Sequence, residues 1–285
     1  MLTRRLFCAG ALALGGGAFS TPALRAAPLD KIKAAGILRV AVYKDFEPWS
    51  WRADGKMVGI DVDLGQRIAT ELGVKVDFLE LMADESVDDD LRNAVWRGTL
   101  IGQAPADIML HVPFDRTLGL RNDRVALVAP YYRESFQIAC NTVEANCDDP
   151  PVQLHGKRIA VELDTLPDIY LMGQFGGALR SDVRHYPTGP AALDALAKGD
   201  ADAAMATRAQ IEHGLAGKGD HFAQRRTPLP AMPNPGWDIG AAVKDDSRDL
   251  GDKVEAIMAD LIKKGELESL FSAHNVVYRP SVSTI

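Results

Sequence analysis

The chain is 285 residues long, more than one hydrophobic core usually organises, so two compact units are expected. An apolar share of 47% with 25% charged residues excludes a disordered or collagen-like chain. A formal charge of −7 argues against nucleic acid and anionic lipid as partners, because like charges repel at long range.

In chain order, Arg4 and Arg5 precede an apolar stretch at 6–19, followed by Pro22 and the small residues Ala26 and Ala27. This pattern predicts an export signal over 1–26, cleaved near Ala26 or Ala27, and a mature protein in the periplasm. The stretch is shorter than the roughly 20 apolar residues of a spanning helix. Thr3-Arg4-Arg5-Leu6-Phe7 fits the twin-arginine route as well as general secretion. Cys8 precedes the apolar core instead of following it, which argues against a lipid anchor. Cleavage removes Arg4, Arg5 and Arg25 and no acid, leaving the mature chain three units more negative. Cys140 and Cys147 are then the only cysteines, and an oxidising compartment should join them. Neither has the neighbouring cysteine or histidine pairs of a zinc site, and no metal or cofactor is expected.

Helical and strand periods then alternate, which predicts α/β architecture with helices covering parallel strands. A short helix at 29–35 stops at Gly36, and Leu38-Arg39-Val40-Ala41-Val42 reads as a strand. Asp54-Gly55-Lys56 is a turn, residues 59–72 lead into an amphipathic helix stopped by Gly73, and 74–79 is the next strand. Ser86-Val87-Asp88-Asp89 fits a capping box before a helix that buries Leu91, Val95 and Trp96. Strands follow at 107–110 and 125–130, then at 158–162, 183–186 and 201–206, with helices starting near Leu166 and over 190–198. Pro228, Pro230, Pro233 and Pro235 mark an irregular connection to a strand at 239–243 and a long helix at 250–264.

Four stretches carry a resemblance in their order: Leu38-Arg39-Val40-Ala41-Val42, then Gly55-Lys56-Met57-Val58-Gly59-Ile60-Asp61-Val62-Asp63-Leu64, His155-Gly156-Lys157-Arg158-Ile159-Ala160-Val161, and Leu261-Ile262-Lys263-Lys264-Gly265-Glu266-Leu267. The chain resembles the family 3 extracellular solute-binding proteins, which include periplasmic receptors for polar amino acids. The resemblance implies a periplasmic-binding-protein-like fold, two α/β lobes joined by two crossover hinge strands, with lobe 1 at 27–131 plus 240–285 and lobe 2 at 132–239. It implies a monomer that captures a small polar ligand by hinge closure and passes it to an ABC permease and its ATPase.

Carried over residue by residue, the resemblance puts Phe46 and Trp49 of Phe46-Glu47-Pro48-Trp49 on the lobe-1 side of the cleft, either sandwiching the ligand or packing the lobe. Arg116 stands where relatives grip a ligand carboxylate, and otherwise pairs with Asp115 or another surface acid. His111 and Pro113 replace the usual hydroxyl residues beside it, and His111 is either a ligand contact or a hydrogen-bonded structural residue. In lobe 2, Asp164 and Thr165 stand where a glycine and hydroxyls are usual, and Thr207 stands where an aspartate receives the ligand's ammonium. A ligand that bears a carboxylate but is not a standard α-amino acid is the expectation.

A divergent branch is similar in the same way: solute-binding-like proteins associated with periplasmic quinoprotein alcohol dehydrogenases, for which the partner is the dehydrogenase. The stretch at 84–102 is compatible with it. Catalysis is not expected. Some relatives are dehydratases, for which Glu47 and Asp164 would be the candidate acids, yet no nucleophile elbow, phosphate loop or metal histidine pair accompanies them. The acidic run Asp84-Glu85-Ser86-Val87-Asp88-Asp89-Asp90 reads as helix-dipole complement rather than a calcium loop.

Overall fold

The computed structural model describes residues 28–99 and 102–283. The expected export signal over 1–26 and its cleavage point lie outside the described residues. The first lobe runs through α1 (Pro28–Ala35), β1 (Ile37–Tyr43), β2 (Trp51–Ala53), β3 (Lys56–Val58), α2 (Ile60–Leu72), β4 (Lys75–Leu81), α3 (Val87–Leu91), β5 (Ile108–Pro113), α4 (Arg116–Arg121) and β6 (Val125–Glu134). The second comprises β7 (Phe136–Asn141), β8 (Ile159–Glu162), α5 (Leu166–Gly173), β9 (Val183–Tyr186), α6 (Gly189–Lys198), β10 (Ala203–Thr207), α7 (Arg208–Leu215) and β11 (Phe222–Gln224). The chain then returns to the first lobe as β12 (Trp237–Lys244), α8 (Arg248–Lys263) and α9 (Glu266–Ala273).

Each lobe is built on a five-stranded sheet, ordered β4-β1-β5-β12-β6 and β11-β7-β10-β8-β9. The centre of β1 shows why: Val40, Ala41 and Val42 are all fully buried, as a strand covered on both faces requires. It pairs in parallel with β4 and β5. Helix α2 ends at Gly73, whose φ of 74° lets its N–H reach the Ala69 and Thr70 carbonyls. α6 ends in the same way at Gly199.

The chain changes lobes twice. Ser135 alone separates β6 from β7, and β12 follows the proline-rich stretch. β6 and β12 pair antiparallel out to Trp237↔Glu134, so the first sheet extends along both crossings past residues 131 and 240. The chain beyond α9 lies back over this region: Arg133 N–H donates to the Arg279 carbonyl at 2.9 Å, and Ser283 N–H to the Asp238 carboxylate at 2.7 Å.

Cys140 and Cys147 form a disulfide with Cα atoms 5.6 Å apart, inside the usual range. The acidic run is satisfied by protein donors. Ser86 caps α3 by accepting the Asp89 N–H, Asp90 is buried and takes the Tyr43 hydroxyl at 2.7 Å, and Asp88 takes Asn122 Nδ2. Among the described residues no group of three or more His, Cys, Asp or Glu is placed to hold a metal ion.

Candidate functional site

The loop after β1 closes on itself: Phe46 N–H donates to the Ser50 carbonyl at 2.8 Å, and Trp49 N–H donates to the Phe46 carbonyl at 2.8 Å. This reversal separates two aromatic residues only three apart. Trp49 is fully buried and packs against Tyr132 at 5.3 Å and Phe271 at 5.9 Å between ring centroids. Phe46 stays half-buried and faces the second lobe. Of the two rings, Phe46 lines the space toward the second lobe and Trp49 packs into the lobe-1 core.

His111 on β5 stands behind Phe46, with centroids 4.9 Å apart and planes near perpendicular. It is buried, at a φ of 60° that non-glycine residues seldom adopt, a conformation that costs about 1–3 kcal/mol. Three hydrogen bonds hold it there: Nδ1 lies 3.1 Å from Asp61 Oδ2, its N–H donates to the Tyr131 hydroxyl at 3.0 Å, and that hydroxyl donates to Asp61 Oδ1 at 2.7 Å. Burial first, then the Asp61 charge, drives the Tyr131 pKa well above its usual value, so the phenol stays a donor. His111 packs against the Phe46 ring and is tied to the core through Asp61 and Tyr131.

Between the lobes lies a cavity of about 260 Å³. Phe46 enters it from the first lobe, Phe136 and Trp237 from the two crossings, and Pro167, Met205 and Ala206 from the second lobe. Its polar lining is Glu162, Thr165, Thr207 and Gln210. Three of the expected residues, Phe46, Thr165 and Thr207, are thus brought together.

Both threonines also serve as helix caps. Thr165 accepts the Asp168 N–H for α5 and donates its hydroxyl proton to the Glu162 carbonyl at 2.7 Å. Thr207 forms a reciprocal capping box with Gln210 at the start of α7. A residue that caps a helix at a cleft edge keeps a fixed rotamer, which suits a binding wall.

Glu162, at the end of β8, was not among the expected residues. Its Oε2 accepts the Gly189 N–H at 2.8 Å, and its Oε1 has no protein donor among the described residues. Burial raises its pKa, and the Gly189 bond offsets part of that. Gly189 also packs closely on Gln210: a Cβ there would lie 2.5 Å from Gln210 Oε1, so a larger residue would displace the Gln210 side chain. Phe136 and Trp237 were also missed. Their rings meet at 4.7 Å and form a wall shared with a second space of about 410 Å³, lined by Phe114, Arg133, Leu166 and Asp238 among others.

Arg116 and Asp164 stand apart from this cavity. Arg116 is the first residue of α4, exposed, beside a surface depression with Leu120, Leu127 and Val282. Asp115 caps α4 by accepting the Leu118 N–H and forms no ion pair with Arg116. Arg116 is not part of the lining of this cavity, which among the described residues contains no cationic side chain. Asp164 is exposed at a φ of 60°, and its N–H is directed to the Asp168 carboxylate at 3.1 Å.

The lobes also touch outside the cavity. Glu47 Oε1 lies 2.9 Å from His213 Nε2 on α7, with the Trp51 ring at 5.6 Å. At the first crossing, buried Glu134 accepts N–H groups from Ser135, Arg208 and Ala209, so a lobe-1 carboxylate caps a lobe-2 helix. Burial raises its pKa to about 7.

Comparison with known proteins agrees with this architecture. Residues 38–94 match the family described as bacterial extracellular solute-binding proteins, family 3. The chain is 24% identical over 250 residues to the L-cystine-binding protein TcyJ of Escherichia coli (strain K12), covering 85% of this chain and 84% of that protein. A 49-residue stretch is 47% identical to cyclohexadienyl dehydratase of Pseudomonas aeruginosa, covering 17% of this chain and 18% of that one. Among solved structures, an ancestral cationic amino acid solute-binding protein superposes with a TM-score of 0.67 at 21% identity, over 86% of this chain and 98% of that one. An amino acid ABC transporter substrate-binding protein of Streptococcus pneumoniae, bound to L-arginine, superposes with a TM-score of 0.63 at 23% identity, over 88% and 98%. The fold is therefore that of the two-lobed periplasmic binding proteins.

Proposed function

We propose that the chain is a family 3 solute-binding protein of the bacterial periplasm that captures a small molecule between its lobes and delivers it to an ABC permease. The observation that carries this reading is the cavity of about 260 Å³ whose walls come from both lobes and both crossings, since a solute placed there would be gripped only when the lobes approach. The match over 38–94 and the relatives named as binding proteins support it.

The protein returns its ligand unchanged in this reading. The acids considered for catalysis do not meet a shared substrate position: Glu47 is engaged by His213, and Asp164 is exposed away from the cavity lining. The match to a dehydratase spans only 49 residues, so a direct assay with cyclohexadienyl acids separates receptor from enzyme. The test of capture is X-ray scattering with and without a metabolite panel that includes L-cystine and L-arginine. A receptor becomes more compact and gains thermal stability with its ligand. A protein that responds to no small molecule, but is stabilised by a quinoprotein dehydrogenase, is the scaffold alternative instead.

A further inference from the structure

The inter-lobe cavity has an unusual charge balance. Among the described residues Glu162 is the only titratable side chain in its lining, and no lysine, arginine or histidine lines it. Its Oε1 has no protein donor among the described residues, while Oε2 is fixed by Gly189 at the start of α6. A half-buried carboxylate with one free oxygen needs a donor, and a cationic donor satisfies it best.

The remaining walls are mostly apolar, and three of them are rings: Phe46, Phe136 and Trp237. Aromatic rings attract cations through their quadrupoles, tryptophan most strongly, and repel anions. The acidic balance of the whole chain favours the approach of the same sign of charge.

Resting on the reading of this cavity as the binding site, we infer that it takes an ammonium group carried on a compact apolar body, an amine that needs no carboxylate, with Glu162 as the counter-charge and Phe46, Phe136 and Trp237 as the cage. Thr207 and Gln210 close the polar edge, and their bonds to each other hold them in place without a ligand. Two features distinguish this from recognition of an α-amino acid: the acid sits on β8 rather than after β10, and the arginine expected for a carboxylate lies outside the cavity.

Cation binding favours the ionised form of Glu162. Burial holds that pKa above the ordinary range, so amine affinity rises as pH increases through it. Of the groups around the carboxylate, Gly189 on α6, Thr165 before α5 and Gln210 on α7 carry no titratable group, and Tyr186, which bears a phenol, is its register partner on β9.

The experiment compares three probes of one shape on the mature full chain by calorimetry at neutral pH: benzylammonium, benzyl alcohol and benzoate. Benzylammonium should bind at least about tenfold more tightly than the alcohol, and benzoate more weakly than both. Glu162→Gln should reduce benzylammonium affinity by about tenfold or more and leave the alcohol within about twofold. Phe46→Leu, which keeps the carboxylate and removes one ring, should narrow the preference for ammonium over alcohol. Equal affinity for alcohol and ammonium, tighter binding of benzoate, or an unchanged Glu162→Gln variant each overturns the amine assignment. Closure around another metabolite with no benzylammonium binding also overturns it while leaving the receptor reading intact. Absence of any response to probes and metabolites alike removes the receptor reading itself.

Discussion

Glu47 in the first lobe and His213 in the second form a link whose chemistry specifies a protonation state. His213 Nε2 lies 2.9 Å from the Glu47 carboxylate, and Nδ1 lies 2.7 Å from the His274 carbonyl oxygen. Both partners only accept, so the imidazolium satisfies both and the neutral ring satisfies one. The Glu47 hydrogen bond raises the His213 pKa, burial opposes it, and the His274 carbonyl and the Glu47 charge add to the rise. Asp63 stands next in line, 2.7 Å from His274 Nε2. The depression around His213 also holds Asp194 and Lys218.

This contact should be fully present below the ordinary imidazole value of 6.5 and weaken as pH rises through the raised one. Scattering across that window should show the lobes separating more readily at high pH. Glu47→Gln should remove the pH dependence and cost about 1 kcal/mol or less of lobe contact, because both groups are partly solvated. An unchanged pH profile in that variant rejects the link.

Glu134 predicts a second pH effect, on global stability. Burial lifts its pKa from 4.5 to about 7, so the folded state holds a proton that the unfolded chain has released. The contribution is complete below 4.5 and is lost as pH climbs through about 7, a change on the order of 3 kcal/mol. Glu134→Gln should show a flatter melting temperature across this range than the parent. Parallel curves for the two proteins count against the buried proton.

Trp49 and Phe46 should separate stability from binding. Trp49→Ala opens a void in the lobe-1 core and should cost about 3–5 kcal/mol in chemical denaturation. Phe46→Ala should cost less than half as much and abolish the ligand response. Equal destabilisation by both changes would mean that Phe46 is also a core residue.

Arg116→Ala should leave the affinity for any captured solute within about twofold, since an exposed side chain off the cavity contributes only tenths of a kcal/mol. A tenfold or greater loss would restore Arg116 as an anchor.

Reduction of Cys140–Cys147, or the Cys140→Ser/Cys147→Ser pair, should lower stability by about 2 kcal/mol, the loop-closure contribution of a short ring. Denaturation in the presence and absence of reductant measures it. The disulfide ties β7 to the loop that follows it, far along the sheet from Thr207, so ligand response should survive reduction.

Periodicity and turn chemistry were enough to read the α/β alternation and the long α2 and α8, because both helices repeat their apolar spacing over a whole element and are followed by a glycine, Gly73 and Gly265. The short α4, α7 and β11 were not read, since three to eight residues carry too little pattern. Neither was β7, which begins one residue after β6 and looks like its continuation. Phe46, Thr165 and Thr207 could be named because the family resemblance fixes their positions in the chain. Only the tertiary structure decided that Trp49 turns into the core, that Arg116 lies off the cavity, and that Glu162, Phe136 and Trp237 face Phe46 across it. The physical reason is that a side chain's direction depends on loop closure and strand register, and a charge becomes a site only when distant segments remove its water and leave it without a partner.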